Sequence, residues 1–267
     1  MNLFSRLRKQ SLLLFCIVFL SAINIFPMSL ILAIETATEV CSVSLTHNGK
    51  LAAIRESAGS NEHSKLLTPF INEVVLESGF SLNEINAVAV SMGPGSYTGL
   101  RIGVSAAKGL CFSLDIPLIA ISTLKALTYK VLNDEIFQLQ QDNKTLYCPM
   151  IDARRMEVYT ALFDNQLNEK KPAEALVIDD KSFADETKNH QLFIFGNGAS
   201  KCRSALNHNK NITVIENVIP SAAAVAALAE MKFSTDDFVD TAYFEPFYLK
   251  DFIAGKPHVK GLHSNEK

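Results

Sequence analysis

The feature that most constrains the fold of this chain is a run of three adjacent strand patterns near its start. Leu30–Glu35 is apolar up to its last residue, as in a buried strand, and Cys41–Thr46 alternates in the manner of a half-exposed strand. Asn48-Gly49 follows, a strong hairpin signal because both positions of the turn need a positive φ. Leu51–Arg55 predicts the returning strand. We therefore expect three consecutive antiparallel strands.

Helix and strand patterns alternate after these strands. Asn61 can cap a helix that runs to about Ser78, and Gly79 is placed to end it. A strand, a helix, a strand and a helix are then predicted at Ala87–Val90, Tyr97–Leu114, Pro117–Ile121 and Thr123–Leu132. Antiparallel strands followed by strand–helix crossovers indicate the α/β class. Their order resembles the ribonuclease-H-like unit, which is duplicated in the actin, sugar-kinase and Hsp70 ATPases.

The second half of the chain has a shorter version of this pattern. After the polar stretch Gln138–Lys144, the sequence predicts strands at Leu146–Ile151, Val158–Phe163 and Gln191–Phe195, and a helix at Ser221–Met231. Asn165–Ala173 is charged and predicts a loop. We therefore expect a duplicated fold with a reduced second half. The predicted segments are a leader at 1–27, a first half at 28–135, a second half at 136–249 and a polar tail at 250–267.

Composition excludes several classes of protein. Of the 267 residues 48% are hydrophobic and 20% are charged, which rules out a disordered or low-complexity chain. The net charge is −3, so the chain has no overall electrostatic attraction to nucleic acid phosphates. We therefore expect it to bind nucleic acid poorly on its own.

The cysteines argue against disulfides and against a structural zinc site. Their number is odd, their spacing is wide and no Cys-x-x-Cys pair occurs; they are Cys16, Cys41, Cys111, Cys148 and Cys202. The sequence predicts buried, reduced thiols.

The first 27 residues have two explanations. Arg6, Arg8 and Lys9 precede the apolar run Leu12–Leu20, a pattern typical of a secretory signal peptide and too short for a membrane-spanning helix. Alternatively, translation starts at Met28, directly before the first strand. The chain from Met28 onward has 22 basic and 28 acidic residues, a net charge of −6.

Two turns are candidates for a nucleotide site, if the chain is an ATPase or a small-molecule kinase of this fold. Glu35, Thr36 and Thr38 lie after the first strand, where such ATPases have an acidic residue and a Gly-Thr pair. Because no glycine is present here, a turn in which the Thr hydroxyls satisfy the backbone explains these residues at least as well. Gly196 and Gly198 flank Asn197 and give a weaker signal, since Gly-Asn-Gly is also an ordinary turn.

The segment Gly93–Gly103 is the richest motif. Glycines between a strand and a helix can bind an anion through their N–H groups. However, Gly95, Gly99 and Gly103 recur every four residues, which places small residues on one helix face and favours close packing or an interface.

Two further groups of polar residues each have an ordinary structural explanation. His63 has Leu67 at i+4 instead of a second histidine, so no metal-binding pair exists there, and a locally hydrogen-bonded side chain is expected. Asp152, Arg154 and Arg155 form a turn that Asp152 can cap while an arginine pairs with it. Contact with a partner or substrate is the alternative for this turn.

Together these segments resemble the TsaB (YeaZ) family. The resemblance rests on Ile31–Thr38, on Asn61–Ser64, on the long Gly93–Gly103 run and on Ile151–Arg155. It extends from Met28 to about Leu249, and residues 246–249 resemble the closing strand of the family. Glu35 stands where the family often has Asp, and the leader is foreign to the pattern.

The resemblance implies a non-catalytic subunit. Such proteins share the fold of the catalytic subunit TsaD without its metal-ligand histidines, and pair with it; a small ATPase, TsaE, joins the complex. The complex transfers a threonylcarbamoyl group to adenosine 37 of ANN-decoding tRNAs. The resemblance implies that this chain has no cofactor, no metal and no catalytic residue, and that it meets tRNA only through the complex. A peptidase is a further alternative, from an old association of the family with glycoproteases, but no nucleophile or metal pattern supports it.

By the same analogy, the partner contacts lie on the first two helices. The predicted contact residues are His63, Leu66, Leu67, Phe70, Ile71, Val74, Thr98, Gly99, Ile102 and Gly103. The alternative is that this whole stripe faces the chain's own sheet. An exposed patch here would also allow a homodimer in the isolated protein.

The implied function bears on the leader. Because tRNA modification takes place in the cytoplasm, we expect a cytoplasmic protein with no membrane role for its folded body. We therefore predict a start at Met28 or an uncleaved extension.

Overall fold

The computed structural model describes residues 28–57, 62–133 and 144–250. The leader, the predicted cap Asn61, Cys16, most of the polar stretch between the halves and the tail beyond Lys250 lie outside the described residues. The four cysteines within the described residues are free and buried, as predicted.

The first sheet contains the five predicted strands, and its first three are antiparallel as expected. Its strands are β1 (Leu30–Glu35), β2 (Cys41–His47), β3 (Lys50–Ser57), β4 (Ala87–Gly93) and β5 (Leu118–Ser122). They lie in the order β3-β2-β1-β4-β5; β2 is antiparallel to β1 and β3, whereas β4 and β5 run parallel to β1. Asn48 and Gly49 make the turn between β2 and β3 with φ values of 51° and 72°, which confirms the hairpin.

Three helices accompany this sheet: α1 (His63–Ser78), α2 (Tyr97–Leu114) and α3 (Thr123–Asn133). Gly79 ends α1 in the left-handed conformation at φ 77°, as expected of a glycine C-cap. α1 and α2 pack on one face of the sheet, where Leu67, Val74 and Val104 join the core around Leu32 and Val90.

The second sheet repeats the topology of the first. Its strands are β6 (Thr145–Asp152), β7 (Glu157–Phe163), β8 (Glu169–Val177), β9 (Gln191–Phe195) and β10 (Ile212–Ile215), in the order β10-β9-β6-β7-β8. The helices of this half are α4 (Ala199–Leu206) and α5 (Ala222–Phe233), and a single 3-10 turn at Glu186–Lys188 stands where α1 stands in the first half. The fold is therefore a duplicated ribonuclease-H-like fold with a reduced second half.

Two details of the second half differ from the sequence prediction. The charged segment Asn165–Ala173 was expected to be a loop, but Glu169–Val177 forms β8. This edge strand is partly exposed and rich in Glu and Lys, so it lacks the apolar alternation that marks a strand. The short strand β10 was not predicted.

The two halves exchange helices. α3, from the first half, packs Leu124, Leu127 and Val131 against the second sheet. α5, which comes after the second sheet, packs Ala222, Val225 and Ala229 against the back face of the first sheet. Each sheet is therefore covered in part by a helix from the other half, so the predicted segments 28–135 and 136–249 are not independent packing units.

The residues after α5 return to the first half as an irregular segment, Val239–Lys250, named here the C-terminal strap. The Val239 N–H donates to Leu118 O at 3.0 Å, and the Phe247 N–H donates to Met92 O at 2.7 Å. Lys108 on α2 donates to the carbonyls of Ala242 and Phe244, at 3.0 Å each. The expected closing strand at 246–249 is wrong, since these residues form no strand.

Candidate functional site

Glu35 ends β1 and is fully buried. Its Oε1 accepts a 2.6 Å hydrogen bond from the Ala37 N–H, while Oε2 and the Ser91 hydroxyl have no well-formed hydrogen bond to the described residues. Burial raises the pKa of Glu35 to about 7, although the Ala37 N–H and the Ser91 hydroxyl act to lower it. The carboxyl group is therefore close to half protonated at neutral pH.

The turn after β1 is held by α1 and α2. The Thr36 hydroxyl donates to Gly99 O at 2.9 Å, and the Ser96 N–H donates to Ala37 O at 2.7 Å, so α2 covers the turn from one side. His63 Nε2 lies 2.8 Å from Thr38 O and must carry the proton, because a carbonyl oxygen can only accept. Thr36 and Thr38 are buried, and both hydroxyls are engaged within the chain.

The four-residue glycine spacing is explained by this contact. A Cβ at Gly95 would lie 2.3 Å from Ala37 O, and one at Gly99 would lie 2.2 Å from Thr36 O. A Cβ at Gly103 would lie 2.2 Å from Thr36 Oγ1. The prediction that these glycines serve close packing is confirmed, and the neighbour that they approach is the chain's own turn.

The turn that contains Gly196 and Gly198 contacts the first half directly. Asn197 Nδ2 donates to Glu39 Oε2 at 2.7 Å, and Asn197 Oδ1 accepts from the Asp152 N–H at 3.0 Å. The Gly198 N–H donates to Met150 O at 2.9 Å, so this turn is anchored on β6. The structure thus brings together the two turns proposed for a nucleotide, but the bonds that join them are those of Asn197 and Glu39.

The Asp152 turn is capped as predicted, but its ion pair was predicted wrongly. Asp152 Oδ1 accepts from the Arg154 N–H at 2.7 Å and pairs with Lys201 on α4, not with an arginine. Arg154 and Arg155 both have positive φ, at 70° and 49°, and both side chains are exposed.

The predicted contact residues on α1 and α2 divide into two groups. Six of them face the chain's own core in this structure, which corrects their assignment to an exposed surface: His63, Leu67, Ile71, Val74, Gly99 and Gly103. The other four are at least partly exposed: Leu66, Phe70, Thr98 and Ile102. The alternative that the stripe faces the sheet is therefore confirmed for the first group.

Sequence reasoning missed the two most exposed apolar side chains of these helices. Leu76 on α1 is 69% exposed and Phe112 on α2 is 87% exposed. Each directly follows a buried residue, Val75 and Cys111 respectively, and so falls outside the i, i+3, i+4 stripe on which the contact residues were predicted. An apolar residue out of phase with the core stripe was the signal that could have found them.

The described ranges show neither a metal site nor a membrane span. Among residues 28–57, 62–133 and 144–250, no three His, Cys, Asp or Glu side chains are grouped so that they could hold a metal ion. No helix in the described part of the chain is long and apolar enough to cross a membrane.

Comparison with known proteins gives consistent results. Residues 56–256 match the family model described as TsaD, tRNA N6-adenosine threonylcarbamoyltransferase. The chain is 31% identical over 238 residues to "tRNA threonylcarbamoyladenosine biosynthesis protein TsaB" of Haemophilus influenzae, covering 85% of this chain and 95% of that one. It is 38% identical over 138 residues to the protein of the same name from Escherichia coli, covering 52% and 56%.

Two solved structures are also similar to the chain. One is described as an uncharacterized protein from Pseudomonas aeruginosa with similarity to peptidase YEAZ; its TM-score is 0.72 at 25% identity, covering 84% of this chain and 100% of that one. The other is YeaZ from Pseudomonas aeruginosa, with a TM-score of 0.67 at 25% identity, covering 83% and 100%.

Proposed function

Because this chain belongs to the TsaB family, we propose that it is a non-catalytic subunit required for threonylcarbamoylation of adenosine 37 in ANN-decoding tRNAs. In this proposal it acts as a scaffold for a TsaD-like catalytic subunit, a TsaE-like ATPase joins the assembly, and tRNA is engaged through the complex. The family names and the match to the TsaD model support a place in this biosynthesis. We place the assembly in the cytoplasm, where tRNA is modified.

The observation that supports the non-catalytic role is that the chain's own helix α2 covers the turn after β1. In this structure the Thr36 hydroxyl donates to Gly99 O, the Thr38 hydroxyl accepts from the Val40 N–H, and three glycines allow α2 and the residues before it to contact the turn directly. A phosphate group would have to break these bonds and displace α2 before it could reach the Thr hydroxyls. This favours the scaffold role over an ATPase or kinase.

The scaffold role needs a surface, and the outer face of α1 and α2 is the best candidate. Leu76 and Phe112 are exposed apolar side chains near the C-terminal ends of the two helices, which pack side by side on one face of the sheet. Leu66, Phe70 and Ile102 are partly exposed on the same helices. The same face would be available to a second copy when the chain is alone.

Co-purification from the native cell tests this proposal. The tagged full chain is expected to recover a TsaD-like protein in stoichiometric amount. Recovery of the folded chain without that partner, under low-salt and high-salt conditions alike, would contradict the scaffold role.

A further inference from the structure

A second surface, formed by the N-terminal end of α2 and the turn between β6 and β7, combines exposed arginines with tyrosine rings. Arg154 and Arg155 lie in the turn between β6 and β7, and Arg101 lies on α2. All three are exposed, and none forms an ion pair with a carboxylate of the described residues. Tyr97 and Tyr248 lie beside Arg101 and are partly exposed.

Contacts through the C-terminal strap link the Arg101 group to the arginine turn. The Arg101 guanidinium lies 5.1 Å from the centroid of the Tyr97 ring, whose centroid is 4.8 Å from that of Tyr248. Tyr248 is two residues before Lys250, which pairs with Glu157. The Glu157 N–H donates to Arg154 O at 3.2 Å, so the C-terminal strap connects the two tyrosines to the arginine turn.

The carboxylates of this region leave the arginines uncompensated. Asp152 pairs with Lys201, and Glu157 pairs with Lys250. Glu39 accepts from Asn197, and Glu245 is exposed three residues before Tyr248. Three unpaired arginines therefore face two carboxylates without a cation partner among the described residues, a local excess of one positive charge on a chain whose overall charge is negative.

The conformation of the arginine turn points to use of its side chains. Two successive residues with positive φ are strained unless they are Gly, Asn or Asp. Here both positions hold arginine, at φ 70° and 49°. No ion pair within the described residues offsets the strain of these two arginines. Backbone strain of this kind is concentrated at functional sites.

We infer that the surface of Tyr97, Arg101, Arg154, Arg155 and Tyr248 contacts the RNA substrate when the chain is in its complex. Arginines bind phosphates through paired N–H groups, and tyrosine rings stack on unpaired bases. Cations beside rings can bind the phosphates and the bases of a single-stranded loop together, whereas a protein contact, where Arg and Tyr are also common, is the other outcome of the test. The inference rests on the proposed function, since it needs an assembly that acts on tRNA.

The test uses the complex of the full chain with its TsaD-like partner, and unmodified ANN-decoding tRNA as the probe. Arg154→Asn/Arg155→Gly is expected to weaken tRNA binding about tenfold at low salt. For each arginine that binds a phosphate, its removal is expected to reduce the slope of log K against log salt by about 0.7. Because Asn-Gly suits the positive φ values, the melting temperature of the variant should be unchanged or higher.

A matched control removes the same charge elsewhere. Lys144 and Lys210 are exposed and precede β6 and β10, at the opposite end of the second sheet. Lys144→Gln/Lys210→Gln should leave both the affinity and the salt slope close to those of the wild type.

Tyr248→Leu tests the stacking part of the inference. It should weaken tRNA binding without changing the salt slope, because stacking on a base neutralises no phosphate charge.

The outcomes separate this inference from the proposed function. If the wild-type complex assembles and binds tRNA but the arginine variant binds like the wild type, this inference is overturned and the proposed function stands. If the arginine variant loses the partner protein instead of the RNA, the surface is a protein contact and the inference is also wrong. If no complex forms with wild-type protein, both fail.

Discussion

The Thr36 hydroxyl donates a 2.9 Å hydrogen bond to the carbonyl of Gly99, which lies 63 residues further along the chain. This bond ties the turn after β1 to the first turn of α2. In the ATPases that share this topology, the corresponding turn is expected to face a phosphate. Here it faces a helix of its own chain, which favours a supporting role over turnover.

Gly99→Ala should destabilise the fold. The new Cβ would lie 2.2 Å from Thr36 O, a backbone atom that cannot move without shifting the turn. Overpacking of this kind costs about 1–3 kcal/mol in the free energy of unfolding. Urea unfolding of the full chain measures this cost.

Gly109→Ala is the control on the same helix. Its Cβ would meet nothing within 4 Å. Alanine is favoured over glycine inside a helix by about 1 kcal/mol, so this variant should be slightly more stable than the wild type. Equal losses of stability for the Gly99 and Gly109 variants would refute the packing explanation of the glycine spacing.

Glu35 should make stability depend on pH. Its pKa in the folded chain is raised from 4.5 to about 7, so the folded state binds more protons than the unfolded state between these values. The contribution of the protonated group is complete below about pH 4.5 and declines as pH rises through 7, by a total of a few kcal/mol.

Glu35→Gln should remove this decline, because an amide is neutral at every pH and its oxygen can still accept from the Ala37 N–H. Urea unfolding at pH 5, 6, 7 and 8 gives the comparison. A variant that keeps the wild-type slope between pH 5 and pH 7 would show that another group causes it.

Asn197→Asp should weaken the contact between the halves. The amide that donates to Glu39 Oε2 at 2.7 Å would become a carboxylate facing a carboxylate. Losing this bond and adding repulsion should cost about 1–3 kcal/mol at neutral pH, with part of the stability recovered as the pH falls. Asn189→Asp, at an exposed position, supplies the control with the same charge change. If both substitutions give the same unfolding curve, the bond does not stabilise the fold.

Leu76→Asp/Phe112→Asp should prevent assembly with the TsaD-like partner and leave the chain folded. Both side chains are more than two-thirds exposed, at 69% and 87%, so the charges cost little in the isolated chain. Met231→Asp is the control, since Met231 is 62% exposed on α5, which covers the opposite face of the first sheet. Pull-down with the partner and circular dichroism are the measurements. Normal assembly by the double variant would show that the partner surface lies elsewhere on the chain.

Much of the fold could be predicted from local patterns. The Asn48-Gly49 turn, the Gly79 cap and the apolar strands of the first sheet each have a strong local signal, and each is confirmed. β8 could not be found in this way, because an exposed edge strand of Glu and Lys is stabilised by its pairing with β7. The exchange of α3 and α5 also has no local signal, since it depends on which sheet each helix reaches.

The site was predicted less completely than the fold. The spacing of Gly95, Gly99 and Gly103 correctly indicated close packing, but it could not show that the neighbour is Thr36. The partner helices were predicted by analogy with the family, and the residues on them follow the apolar stripe, which marks the core face of a helix. The predicted residues His63 and Val74 therefore prove to be buried, whereas the exposed Leu76 and Phe112 were not predicted.

The most direct test of the scaffold role is the level of threonylcarbamoyladenosine in tRNA from cells depleted of this chain, measured by mass spectrometry. A non-catalytic, partner-binding subunit predicts that the modification is lost, that expression from Met28 restores it, and that Glu35→Gln restores it equally well while Leu76→Asp/Phe112→Asp does not. Normal modification in depleted cells, or a folded Glu35→Gln protein that assembles and yet fails to restore it, would contradict this role.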